Sequence, residues 1–251
     1  MLRRTGPPAA LLLVALGLWQ GVASLPSVDD LLLSSPVEVA RALWSERSLL
    51  LAEAGVTLVE VVAGLAVAIA GGVTAALLMH LARPLREAAY PLLVASQAVP
   101  VLVLAPLFVL AFDFGIGPKI AIVAVICFFP VTVNTLDGLR SVEPGLLKLM
   151  RSLGASRAST LRRVELPASL PYLFSGVRIA ASVAVIGAVF GEWAGSESGL
   201  GRLVLLGVAQ LQTERVYAGV LLLAVMALGL FGLTGLAERI AVPWRRSERG
   251  A

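Results

Sequence analysis

The chain has 251 residues, of which 58% are hydrophobic and 14% charged, against about 25% charged in soluble globular domains, so its composition speaks against a water-soluble fold. Its net charge is +4 and its pI about 9.8, but the basic residues cluster in short stretches between apolar runs, a pattern that describes membrane topology and not a nucleic-acid surface. Cys127 is the single cysteine, which rules out an intrachain disulfide and any cysteine-based metal cluster.

The first apolar run is uncharged from Thr5 to Val28, behind Arg3 and Arg4, and predicts a span at residues 8–24. A secretory signal peptide cleaved near Val22-Ala23-Ser24 is the alternative; the run is longer than the roughly 7–15 residues of a signal core, which favours a retained span. Five more spans are predicted, at 51–79, 88–111, 118–138, 169–193 and 216–237, since about 20 helical residues cross a hydrocarbon layer of roughly 30 Å. The run at 51–79 is long enough to tilt or to project beyond the bilayer. The predicted fold is therefore an all-α integral membrane protein with six transmembrane helices. It divides into residues 1–48, a first span with an external amphipathic segment; 49–241, a five-helix core carrying a loop at 139–168; and a basic tail at 242–251.

Basic residues favour the cytoplasmic side. With the N-terminus inside, fourteen of the 20 lysines and arginines are cytoplasmic; Arg41, Arg47, Lys119, Arg202 and Arg215 are outside, and Arg178 lies within a span. Both termini and the loop 139–168 are thus predicted to be cytoplasmic.

Small residues recur every fourth position in two spans, as Gly64, Ala68, Gly72 and Ala76 and as Gly176, Ala180, Ala184 and Ala188. Such stripes let helix backbones approach closely in lipid, within the chain or at a subunit interface. In the third span Pro91, Pro100 and Pro106 each remove a backbone donor and can bend the helix.

The loop at 139–168 is the most informative segment. Pro144 suits a first helical turn, and Leu146, Leu149, Met150 and Leu153 then follow at helical spacing as one apolar stripe. Gly154 is placed to end this helix in a left-handed conformation. Ser156 can cap a second helix bearing Arg157, Arg162 and Arg163 opposite Ala158, Leu161 and Val164, and Pro167 is expected to end it, with Leu166-Pro167 marking re-entry into the fifth span. The pattern predicts a helical hairpin at the membrane surface; read by residues alone, a basic amphipathic loop lying among lipid headgroups fits it as well.

Arg178 is the unusual charge. It lies about nine residues, or roughly 13 Å, into the fifth span, where an arginine costs on the order of 3 kcal/mol, so a compensating partner is expected. It either faces a translocation path or stabilises the bundle. Gln97 and Asn134 could line the same path or make interhelical hydrogen bonds, and Glu192 could contact a delivering protein or a basic neighbour. His80, the single histidine, has no acidic or cysteine residue near it in sequence and reads as a helix-end residue, so no metal site is predicted. No catalytic set is legible. The phosphate-binding pattern G-x-x-x-x-G-K-S/T is missing, and Gly71-Gly72 is not followed by a lysine.

Gly154, nine residues, then Val164-Glu165-Leu166-Pro167 resembles the cytoplasmic loop signature E-A-A, three residues, G, nine residues, I-x-L-P of permease subunits of ATP-binding cassette importers. The E-A-A positions fall on Lys148, Leu149 and Met150, so a basic residue replaces the acidic one. Leu25-Pro26-Ser27 before the stretch Pro36 to Trp44, Phe114-Gly115-Ile116-Gly117, Ser198-Gly199-Leu200-Gly201 and Glu238-Arg239 with Val242-Pro243-Trp244 resemble the nitrate, sulfonate, taurine and pyrimidine-precursor branch. Ala95 to Pro100, Phe128-Phe129-Pro130 with Asn134 to Arg140, and Val164 to Phe174 are most similar to permeases for thiamine pyrimidine precursors.

The resemblance implies a type I importer permease fold in the bacterial inner membrane, with the translocation path for a small polar or anionic solute. It implies docking of a cytoplasmic ATPase subunit on Lys148, Leu149, Met150, Gly154, Ala155, Ser156, Val164, Leu166 and Pro167, an external solute-binding protein, and a second permease copy. Lipid is the surrounding medium; nucleic acid and a cofactor on this chain are not implied. Other classes read differently: a secondary transporter would show intramembrane acids or discontinuous helices at related positions, and neither is evident, while a membrane enzyme would need a catalytic cluster. A membrane scaffold stays open.

Overall fold

The computed structural model describes residues 2–25 and 33–244, without the side chains of residues 2–9 and 12. Pro26 and Ser27 and the tail residues Arg245, Arg246 and Arg249 lie outside the described residues. In chain order the helices are α1 (Leu2–Ala23), α2 (Pro36–Ser45), α3 (Arg47–Leu81), α4 (Arg83–Ser96), α5 (Val101–Phe112), α6 (Ile116–Arg140), α7 (Pro144–Ser152) and α8 (Arg157–Thr160). A π-helical turn (Leu161–Glu165) then leads into α9 (Leu166–Trp193), followed by α10 (Leu200–Ala209) and α11 (Thr213–Ala241). No strand occurs among the described residues.

Four helical segments are long and apolar enough to cross a membrane: α3, α6, the continuous run Arg157–Trp193 and α11. A fifth is counted if α4 and α5 form one bent span. This corrects the single helix expected at 88–111, because α4 and α5 meet at 102°. Tight turns from Ala98 to Ala95 and from Val99 to Ser96 close α4, and the chain extends at Pro100 (φ −65°, ψ 112°). Pro100 offers no N–H to continue the ladder and pushes Val99 out of the helical region. Pro91 and Pro106, by contrast, stay inside α4 and α5.

Packing divides the chain into two compact units, Met1–Thr57 with Glu197–Ala224 and Leu58–Ser196 with Val225–Ala251. In the first, Ser35 opens α2 with a reciprocal capping box: its hydroxyl accepts the Glu38 N–H at 3.3 Å and its own N–H donates to the Glu38 carboxylate at 2.7 Å. Those bonds, the backbone one first, hold the Glu38 carboxyl below its usual range. The start of α10 is held by α3: the Gly199 N–H donates to the Glu53 carboxylate and the Leu200 N–H to Thr57 Oγ1 at 2.9 Å. The Arg215 guanidinium grips Glu46 at 2.6 and 2.9 Å.

The second unit is built around α6, with α9 as its most extensive neighbour. The reason is legible in the small-residue stripes, which the structure uses within the chain. A Cβ on Gly176 would lie 2.5 Å from the Pro130 carbonyl oxygen, and one on Gly72 would lie 2.8 Å from Val131. Ala180, Ala184 and Ala188 are fully buried on the same face of α9, as is Ala76 on α3. Backbones this close collect dispersion contacts that longer side chains would prevent. Cys127 is buried in that seam and its thiol donates to the Ala180 carbonyl at 3.3 Å.

Candidate docking hairpin and transport cleft

The turn between α7 and α8 follows the sequence closely. Gly154 has φ +76°. Its N–H donates to the Arg151 carbonyl and the Ala155 N–H to the Met150 carbonyl, each at 3.0 Å, the two bonds that close a helix around a left-handed residue. Two residues on, the Ser156 hydroxyl accepts the Ser159 N–H at 3.2 Å and caps α8.

α7 buries none of its residues. Leu146, Leu149 and Leu153 are 42, 54 and 73% exposed, with Met150 partly buried beside them and Lys148 and Arg151 exposed. The three leucines form an open apolar row along the hairpin. Arg162 and Arg163 are also exposed, while Ala155, Val164, Leu166 and Pro167 are partly buried.

Pro167 does not end the second arm, and Leu166-Pro167 is not an extended re-entry point. The chain stays helical from Arg157 to Trp193, with Leu166 at φ −62°, ψ −50°. The π turn explains this. The Leu166 N–H donates to the Leu161 carbonyl, five residues back, and this wider register accommodates a proline ring that would collide with the carbonyl four residues earlier in an α-helix. The fifth span thus begins inside the hairpin, about a dozen residues before its expected start at 169.

The π turn anchors the second arm. Leu161 and Leu166 pack against a buried cluster of Ala76, Met79, Leu136 and Leu139 from the C-terminal ends of α3 and α6. Between them Glu165 turns inward, its side chain 3% exposed. Arg157 Nη1 donates to both its carboxylate oxygens at 2.6 Å, and His80 Nε2 lies 3.0 Å from Oε2. His80 therefore does have an acidic partner, contrary to the sequence reading, because the fold brings together positions 85 residues apart. Neither contact has a local signal, since Arg157 and Glu165 are eight residues apart and His80 is 85 away.

The path residues inferred from sequence are not brought together. Gln97 borders an open cleft of about 690 Å³ between α3, α4 and α6, with Ser96, Gly71, Phe128 and Thr132 among its lining residues. Asn134 instead donates to the Pro130 carbonyl at 2.8 Å and faces Gly176 of α9. Arg178 has the partner its depth demanded: Nη2 donates to the Glu238 carboxylate of α11, and the guanidinium lies 5.3 Å from the centre of the Phe231 ring.

A buried carboxylate was overlooked in sequence. Glu60 lies within the run expected to span at 51–79, is 1% exposed, and binds Lys119 Nζ at 2.6 Å. An acid thus does lie within a candidate span, and α4 with α5 forms either a broken span or a re-entrant pair. Glu192 is fully buried and faces Glu60, so in this conformation it is not open to a delivering protein. No group of three or more histidine, cysteine or acidic residues able to hold a metal occurs among the described residues.

Several membrane-length helices with an exposed hairpin anchored on two of them define a polytopic membrane subunit. Residues 68–245 match the family described as binding-protein-dependent transport system inner membrane component. The chain is 40% identical, over 89% of its length and 91% of the relative's, to a probable ABC transporter permease protein of Haemophilus influenzae. It is 36% identical, over 96% of both chains, to the formylaminopyrimidine transport permease protein ThiX of Halalkalibacterium halodurans. Other relatives carry names for riboflavin, aliphatic sulfonate and taurine transport. Among solved structures, an inward-facing MetNI methionine ABC transporter matches with a TM-score of 0.68 at 18% identity, covering 78% of this chain and 98% of that one. The chain belongs to this permease family and is an inner-membrane subunit of an ATP-binding cassette importer, a transport component and not an enzyme.

Proposed function

We propose that this permease has six spans with both termini cytoplasmic, pairs with a second copy, and docks a cytoplasmic ATPase subunit on the α7–α8 hairpin. The observation that carries the docking reading is the open row of Leu146, Leu149 and Leu153 on a helix that buries nothing. Lys148, Met150 and the turn Gly154-Ala155-Ser156 complete the docking face, while Val164, Leu166 and Pro167 fix its root. The orientation rests on the basic residues; Lys119 and Arg215, assigned to the outer side, are each paired with a carboxylate, which weakens the outer positive charge still further.

Transport in this reading is binding energy used to shift a bistable bundle. ATP binding in the partner moves the hairpin, and the spans alternate between outward-open and inward-open states. An external solute-binding protein delivers the substrate. Gln97 lies on the path through the cleft, whereas the hydrogen bond of Asn134 and the ion pair of Arg178 suit bundle packing. The substrate is a small polar or anionic solute, with a thiamine pyrimidine precursor first because of the formylaminopyrimidine permease among the relatives; a sulfonate or taurine is the alternative, supported by relatives with those names.

Reconstitution with the cognate ATPase and binding protein tests the reading. Uptake of labelled formylaminopyrimidine, competed or not by taurine and riboflavin, assigns the substrate. Uptake that continues undiminished without ATP hydrolysis would sink the importer reading in favour of a secondary transporter. No ATPase association at all would favour a scaffold.

A further inference from the structure

The geometry points to His80 as a positioning residue for coupling: with Glu165 and Arg157 it forms a clasp that makes the C-terminal end of α3 move with the hairpin. The inference rests on the reading of α7–α8 as the ATPase-docking element.

Three observations carry it. The carboxylate of Glu165 is buried and takes its partners from two different places: Arg157 in the first turn of α8, three residues beyond Gly154, and His80 in the last turn of α3. His80 is itself nearly enclosed, its side chain 9% exposed. The surrounding apolar contacts run the same way, since Leu161 and Leu166 pack against the cluster that Ala76 and Met79 of α3 form with Leu136 and Leu139 of α6.

The π turn is what makes the arrangement possible. By widening the helix at Leu161–Glu165 it lets the arm pass Pro167 without a break, so the hairpin's second arm and α9 are one continuous helix. A push on α7 therefore reaches α9 along the backbone and α3 through the Glu165 carboxylate. Charge favours a closed clasp. Glu165 and Arg157 neutralise each other, and pulling Arg157 away would leave the buried Glu165 carboxylate uncompensated, which is costly. The imidazole Nε2 touches both members of the pair, 3.0 Å from Glu165 Oε2 and 2.9 Å from Arg157 Nη2, and so ties them to α3.

Hydrogen exchange on the full permease in nanodiscs, with its ATPase subunit bound and with or without ATP and vanadate, tests the clasp. In the wild type, nucleotide should change exchange at residues 76–82 together with the hairpin, by about tenfold. His80→Ala should keep the ATPase bound and the hairpin responsive while the response at 76–82 is lost. His80→Gln, whose amide N–H sits near the position of Nε2, should restore it. Glu165→Gln should also abolish the response, and adding His80→Ala to it should cost nothing further. A response at 76–82 that survives in His80→Ala, or additive effects of the two substitutions, would overturn the clasp and leave docking intact. A wild-type hairpin that the ATPase neither binds nor protects would overturn the docking reading, and the clasp with it.

Discussion

The seam of α6 with α3 and α9 and the first arm of the hairpin, α7, put apolar residues to opposite uses. In the seam, glycines and alanines bring backbones so close that a single methyl on Gly176 would meet the Pro130 carbonyl at 2.5 Å, and Ala76, Ala180, Ala184 and Ala188 are fully covered. On α7 the leucines are larger and remain open. The difference teaches where binding free energy is still available. A face whose contacts are all satisfied within the chain can only hold the chain together, whereas an uncovered apolar row on a helix closed at its C-terminus by Gly154 gains on association.

The sharpest way to break this contrast is through the seam's buried charges. Lys119→Met should destabilise the permease by about 3–5 kcal/mol, because it strands the Glu60 carboxylate; a large fall in the unfolding midpoint in detergent is expected, partly recovered by adding Glu60→Gln. Gly176→Val comes next, at about 3 kcal/mol, since the added atoms overpack a backbone contact; thermal unfolding of the purified chain reads it. The same two midpoints should be untouched by Leu149→Asp with Leu153→Asp on α7. That pair should instead weaken ATPase capture by about tenfold or more, as loss of an apolar anchor at an interface does, and normal capture would end the contrast.

Gly154→Val probes the junction between the two behaviours. A β-branched residue at φ +76° costs about 1–2 kcal/mol, so ATPase pull-down should fall while membrane insertion stays intact. The smallest effect is expected for Ser156→Ala, which removes the α8 cap at a cost of about 1 kcal/mol. Hydrogen exchange should rise at Ser159 and Thr160 and nowhere in α6.

The hairpin shows why some of the site was legible. A left-handed glycine, a serine cap and an apolar row are local instructions, written within a few residues of where they act, so Gly154, Ser156 and the leucines could be placed from sequence. Pro167 misled for a related reason. Its local rule predicts a break, but one extra residue per turn at Leu161–Glu165 absorbs the ring, and the choice of π over α register follows from how Leu161 and Leu166 seat on α3 and α6. Gln97, Asn134 and Arg178 looked alike as polar residues in spans, and only their neighbours separated a cleft residue from a back-bonded amide and a paired cation. Glu60 was written in the sequence and passed over because the apolar run around it dominated.

By itself the sequence determined the class of protein: apolar runs must be helices in lipid, because every backbone polar group has to be satisfied within the chain, and basic clusters and a glycine-to-Leu-Pro interval pointed to an importer permease. Tertiary structure alone decided that the small-residue stripes serve internal packing, that α4 and α5 meet at an angle, and that His80 meets Glu165 across 85 residues. These are pairings between distant segments. Their energies depend on which faces meet, and no local pattern encodes that choice.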